Sequence, residues 1–172
     1  SARQLALQAM AAQDHGRSEQ AELLLADAVR QCPVDERARC GYAQSLWQRG
    51  ACDTAVAHME EGVKLSGYDP ERRVQLGTMY LAQGQLEAAA QQAERAIQSN
   101  AQLASAWALQ GKVQQAQGIR SEALATFHRA LTLQPHFPEV QLALADIYAE
   151  QGRSQRCLAT LQSLADAFPP DQ

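Results

Sequence analysis

Apolar and small residues recur along this chain at helical spacing, three or four positions apart. After Gly118 come Ala123, Leu124, Phe127, Ala130 and Leu131, a 3–4 alternation that belongs to one face of an α-helix. Before it, Trp107, Gly111 and Gln114 follow the same spacing, which predicts a second helix ahead of the glycine. Pro135 then stops the later helix. No stretch alternates Val, Ile and Thr with polar residues in the way a strand would.

The pattern repeats. Gly16, Gly50, Gly84, Gly118 and Gly152 are spaced 34 residues apart without a slip. A second column reads Ala21, Ala55, Ala89, Ala123 and Cys157, and a third reads Ala9, Ala43, Gly77, Gly111 and Ala145. A fourth, Ala28, Gly62, Ala96 and Ala130, breaks at Leu164. Small residues in fixed columns mark places where two helices pack closely. The invariant glycine marks the turn between them, where a left-handed backbone is easiest. Pro33, Pro135 and Pro169 share one column. Gly67 and Ala101 stand there in the middle units, which predicts softer punctuation.

Composition agrees with a helical protein and removes several function classes. The chain of 172 residues is 46% hydrophobic and 20% charged, an ordinary globular balance with only 5% aromatics. Its net charge is −4, and its longest basic runs are pairs such as Arg72–Arg73, so no nucleic-acid-binding face is expected. No apolar run reaches the length a bilayer span needs, and no membrane insertion is expected.

Five units in this register resemble the tetratricopeptide repeat, a 34-residue helix–turn–helix unit. The fourth unit carries Trp107, Gly111, Ala123, Phe127, Ala130 and Pro135. The third carries Leu76–Gly77, Tyr80, Ala89 and Ala96, and the fifth Leu144–Ala145, Tyr148 and Pro169. The first two units diverge more, with Leu5 and Arg39 in the tryptophan column. The resemblance covers essentially the whole chain. It implies an all-α, right-handed α-solenoid of five repeats, 2–35, 36–69, 70–103, 104–137 and 138–171, forming one superhelical domain over residues 2–171.

The family lines a concave groove with its first helices, and the resemblance implies a non-catalytic scaffold that binds a protein or peptide there. Ligand contacts are expected at the second, fifth, ninth, twelfth and thirteenth positions of each first helix. Those columns select Arg3 and Met10 in the first unit and Arg37, Gln44, Trp47 and Gln48 in the second. They select Thr78 and Leu81 in the third, Lys112 and Gln115 in the fourth, and Glu139, Asp146 and Glu150 in the fifth. Cys40, Val74 and Leu142 fall in the fifth-position column as well.

These columns are basic at the first end, with Arg3 and Arg37, and acidic at the other, with Glu139, Asp146 and Glu150 on one stripe. A partner segment is expected to lie with its acidic part near the arginines and its basic part near the fifth unit. Ordinary solvated charges are the alternative reading. Trp107 belongs to the structural tryptophan column. Trp47 does not, and is read either as a binding anchor or as packing against the adjacent repeat. The family's chaperone-binding carboxylate clamp is not expected, because Ala6 and Met10 occupy its first positions. Glu71 and Gln75, or Glu139 and Ala143, occupy its later ones.

Catalytic readings find little. His15, His58, His128 and His136 fall in different columns, and none shares a helix face with a Cys or carboxylate at ligand spacing. Asp146 and Glu150 lie one turn apart, but an open groove offers no desolvated pocket to split their pKa values. Cys40 has no His or Asn placed to activate it, and Cys157 fills a packing column. The glycines keep the 34-residue period instead of a phosphate-loop spacing, so no cofactor is expected.

The final unit ends on Leu158, Leu161 and Leu164, part of whose face has no following repeat. Two readings stay open: a segment of a longer protein, or a homo-oligomer formed through that end. A structural assembly role and an accessory domain of a larger enzyme or envelope complex are the alternatives to the scaffold. Arginine outnumbers lysine 13 to 2, which suggests a bacterial source. The thiols Cys32, Cys40, Cys52 and Cys157 favour the cytoplasm slightly over the periplasm.

Overall fold

Among the described residues ten helices follow one another in the sequence order the columns predict. First helices are α1 (Ala2–Asp14), α3 (Glu36–Gln48), α5 (Pro70–Ala82), α7 (Ala104–Ala116) and α9 (Pro138–Glu150). Second helices are α2 (Ser18–Gln31), α4 (Cys52–Leu65), α6 (Leu86–Ser99), α8 (Arg120–Leu133) and α10 (Ser154–Ala167). The structure, a computed structural model, describes residues 2–14 and 18–167; the side chains of Ala2, Arg3, Met10, Gln13, Asp14, Ser18 and Ala167 are not described. Gly16, His15 and Pro169 therefore lie outside the described residues.

Local chemistry sets the helix ends. Asp35 caps α3 by accepting from the Ala38 amide at 2.9 Å. Asp69 caps α5 by accepting from the Glu71 and Arg72 amides, and Pro70 follows it at the first helical position. Within the second to fifth hairpins the turn is a helix end closed by a left-handed glycine, as at Gly50 (φ 87°) and Gly118 (φ 80°). The residue after the glycine then donates back into the helix: Ala51 to Leu46 and Ile119 to Gln114, both at 2.9 Å. This satisfies carbonyls that the helix end leaves open.

The small columns hold the hairpins together. Ala21, Ala55, Ala89 and Ala123 are fully buried, as are Ala28, Ala96 and Ala130. Gly111 sits where a Cβ would lie 2.6 Å from the ring of Phe127, itself fully buried. Gly77 bears the same relation to Leu109, whose methyl would lie 2.5 Å away.

The core is a succession of apolar clusters, each joining neighbouring hairpins. One joins Cys40, Val56 and Met59 to Leu76 and Met79. The next joins Ala89 and Ala93 to Leu109 and Val113. A third joins Phe127 and Ala130 to Val140, Leu144 and Ile147. Each hairpin is buried by its neighbours and by nothing distant, which is the energetic signature of a solenoid. Successive first helices also approach one another, α1 with α3 and α5 with α7. No pair of second helices does so to the same extent among the described residues. The stack therefore curls with its first helices on the inner side.

Candidate functional site

The inner face is built from the exposed columns of the first helices. Arg37 and Gln48 are exposed on α3, Glu71 and Thr78 on α5, and Glu139, Asp146 and Glu150 on α9. Gln44, Lys112 and Gln115 are half-buried. Thr78 spends its hydroxyl proton on the Val74 carbonyl at 2.8 Å, so it meets a ligand as an acceptor. The side chains of Arg3 and Met10 lie outside the described residues.

Two expected contacts belong partly to the core. Trp47 is half-buried and packs on the cluster of Cys40, Met59 and Leu76. Leu81 is half-buried against the cluster of Ala89 and Leu109. Both remain partly exposed.

Cys40 corrects an expectation. Its column was read as facing the groove, yet Cys40 is fully buried and packs on Gly62 of the following helix. Ala6 and Ala108 in the same column are buried too. Burial pushes the Cys40 thiol pKa up, the direction of an unreactive thiol.

The same column ends differently. Leu142 is 48% exposed on α9, one turn before the exposed Asp146. Asp146 has no ion pair among the described residues, whereas its two stripe-mates do. Glu139 is held by Lys112 of α7 at 3.2 Å, and Glu150 by Arg120 of α8 at 2.8 Å. Among the described residues, two of the three carboxylates are thus held in ion pairs and one is not. Arg37 and Glu71 also carry no ion pair among the described residues.

Two of the histidines make side-chain contacts within the fold. His58 is half-buried, edge-on to Tyr42 at 4.9 Å, and burial lowers its pKa. His128 shares a 3.0 Å hydrogen bond with the Tyr148 hydroxyl across two hairpins. Among the described residues no three His, Cys, Asp or Glu side chains are grouped to hold a metal ion. No described helix is long and apolar enough to cross a membrane.

Comparison with known proteins fits this geometry. Three family models described as tetratricopeptide repeat match residues 7–70, 70–103 and 115–172. The chain belongs to the tetratricopeptide-repeat family, and its fold is the family's all-α solenoid. Proteins of this kind are in general non-catalytic scaffolds for protein–protein interaction. No curated protein sequence matches the chain.

Solved structures share the architecture at low identity. A thermophilic tetratricopeptide-repeat protein of Thermus thermophilus is 24% identical, with a TM-score of 0.84 over 99% of this chain and 93% of its own. The pilF protein of Pseudomonas aeruginosa is 17% identical, with a TM-score of 0.85 over 99% of this chain and 78% of its own. YrrB, described as having an unusual peptide-binding site, is 18% identical, with a TM-score of 0.71 over 98% of this chain and 87% of its own. At these identities the likeness speaks for the fold alone.

Proposed function

We propose that the inner face of this solenoid binds an extended segment of a partner protein, with the principal anchor on α9. The observation that carries this reading is Leu142, a large apolar side chain nearly half exposed beside a carboxylate, Asp146, that has no ion pair among the described residues. An exposed leucine gains from burial under a ligand. An unpaired Asp146 selects a cation near it and repels an acidic competitor.

The charge pattern gives the segment a direction. Glu71 and Asp146 favour a basic stretch over the third to fifth hairpins, and Arg37 favours an acidic stretch over the second. The half-buried edges of Trp47, Val74 and Leu81 offer apolar contact between them. Glu139 and Glu150 contribute less to selection than Asp146, because their partners already satisfy them.

The test is crosslinked capture from cells that make the protein, with wild type compared against Leu142→Glu combined with Asp146→Lys. One partner retained by wild type and weakened about tenfold or more by the pair would support the groove. Glu94→Lys, on an exposed position of the outer helix α6, serves as the charge control and should leave capture intact. Equal capture by all three chains would reject the reading.

A further inference from the structure

One column of the second helices changes sign along the stack. Asp27 on α2 and Glu61 on α4 stand 34 residues apart, and Arg95 on α6 and Arg129 on α8 continue the spacing. The two carboxylates are neutralised one turn on, Asp27 by Arg30 and Glu61 by Lys64. The residues one turn after Arg95 and Arg129 are Gln98 and Thr132, which carry no charge. Both arginines are exposed, and neither forms an ion pair among the described residues. Glu94, beside Arg95 in the chain, accepts instead from the Gln98 amide at 3.1 Å.

Each arginine belongs to a station built on the loop that leads into its hairpin. In the fourth hairpin the Arg129 guanidinium lies 5.9 Å from the centre of the Trp107 ring, whose Nε1 is bonded to the Ala101 carbonyl of the loop. In the third hairpin the ring is Tyr68, and Arg73 lies 4.7 Å from its centre. Arg73 also points Nη1 at Gln92 Oε1, 3.5 Å away and one turn before Arg95 on α6. Arg73 is only 8% exposed, and its hydrogen-bond partners, the Tyr68 carbonyl and Gln92, are uncharged. A buried cation is ordinarily paired with an anion. Here its charged neighbour is a second cation: burial first, and then Arg95, lower the Arg73 pKa. The third hairpin is short of negative charge at this edge.

Apolar surface lies beside the cations. Tyr68 is 51% exposed, and Leu65, three residues earlier at the end of α4, is 39% exposed. Tyr68 keeps its place with a left-handed backbone, φ 66°, that costs a bulky side chain free energy. In the same column one hairpin earlier stands Val34, 70% exposed.

We infer that this loop edge, separate from the groove, docks an acidic segment of a partner protein, its carboxylates on Arg95 and Arg129 and an apolar side chain on Tyr68 and Leu65. The occupant follows from charge complementarity. Two unpaired guanidiniums on successive hairpins suit carboxylates carried on one segment, and each can hold a carboxylate through two parallel bonds. The apolar patch beside them suits a segment that mixes glutamate or aspartate with a large aliphatic residue. A polynucleotide fits less well, because it is a long polyanion and the chain carries a net charge of −4. The inference does not depend on what the groove binds.

The test is fluorescence anisotropy of a labelled peptide with leucine at one end and glutamates along the rest, titrated with the full chain. Physiological salt is used, where charges more than about 8 Å away are largely screened. Wild type should bind the peptide saturably, and a peptide with lysines in place of the glutamates should not compete. Arg95→Glu combined with Arg129→Glu should weaken binding about tenfold or more. Arg37→Glu combined with Lys112→Glu makes the same change of net charge on the inner face and should leave binding within about twofold of wild type. Tyr68→Gly removes the ring while suiting the left-handed backbone, and should weaken binding about fivefold. Absence of saturable binding to wild type would overturn the inference. So would equal losses in the two charge-reversed pairs, which is the outcome of net charge alone, or a Tyr68→Gly chain that binds as wild type does. A labelled thymidine oligonucleotide that binds wild type more tightly than the peptide and is released by the Arg95 and Arg129 pair would also overturn it, in favour of a nucleic-acid surface. Thermal unfolding followed by circular dichroism checks that the substituted chains are folded. Arg95→Gln with Arg129→Gln replaces the glutamate pair if the charge lowers the midpoint.

Discussion

Arg73 donates from Nε to the backbone carbonyl of Tyr68 at 3.1 Å, and its guanidinium carbon lies 4.7 Å from the centre of the Tyr68 ring. Tyr68 holds a left-handed backbone, φ 66°, so the turn that presents its carbonyl is strained for a bulky residue. The same job is done elsewhere by other side chains. Trp107 Nε1 donates to the Ala101 carbonyl at 2.9 Å, and Arg39 donates to the Pro33 carbonyl. Tryptophan and arginine share this column because both carry an N–H far from the backbone, able to reach the loop between hairpins.

That equivalence predicts a hierarchy of substitutions. Arg73→Leu should cost about 1–3 kcal/mol, because it leaves the Tyr68 carbonyl without its donor and removes the cation from the ring. Arg73→Trp should cost less, since an indole makes the same bond at Trp107. Urea unfolding of the two variants beside wild type checks the order; equal losses would mean that packing alone sets the column.

Gly111→Ala should destabilise the chain by about 1–3 kcal/mol, because the new methyl meets a Phe127 ring that has nowhere to move. Combining it with Phe127→Leu should cost less than the sum of the two single changes. A double-mutant cycle by chemical denaturation measures the coupling.

Tyr80 gives a pH prediction. Burial first, and then its hydrogen bond to Glu60 of the preceding hairpin, push its phenol up to about 12. The raised value means the folded chain holds this proton where the unfolded chain, with a phenol near 10, has lost it. The contribution to stability is therefore complete below pH 10 and falls as pH rises from about 10 to about 12. Absorbance titration at the phenolate band should show a late component that disappears in Tyr80→Phe.

The thiols should sort by burial. Cys32, Cys52 and Cys157 are half-buried, whereas Cys40 is sealed with a raised pKa. A thiol reagent added to the native chain should modify the first three and reach Cys40 only on unfolding. Rapid native labelling of Cys40, followed by mass spectrometry of its peptide, would contradict the packing described.

The fold was legible because its signals are local and repeat. The glycine column predicted the left-handed turns at Gly50, Gly84, Gly118 and Gly152, and the alanine columns predicted the buried contacts between paired helices. The site was legible only in outline. Which carboxylates of the acidic stripe are free depends on Lys112 and Arg120, 27 and 30 residues away from the groups they hold. Cys40 looked accessible because its helix position alone does not reveal that Gly62 leaves room for its sulfur. Arg39 looked like a departure from the tryptophan column because the donor role it shares with Arg73 and Trp107 exists only once the loop carbonyl is in place.

The junctions between hairpins are not alike. Arg49–Glu22 ties the first to the second, Gln83–Asp53 the second to the third, and Lys112–Glu139 and Arg120–Glu150 the fourth to the fifth. Between the third and fourth, no side-chain pair of described residues forms such a bond, and the seam is the packing of Leu109 and Val113 on alanines together with the bond from Trp107 Nε1 to the Ala101 carbonyl. Salt screens exposed charge pairs and leaves apolar contact standing. Rising ionic strength should therefore loosen the spring at its outer coils while its middle coil keeps its pitch, so the curvature offered to a partner would change from the ends inward.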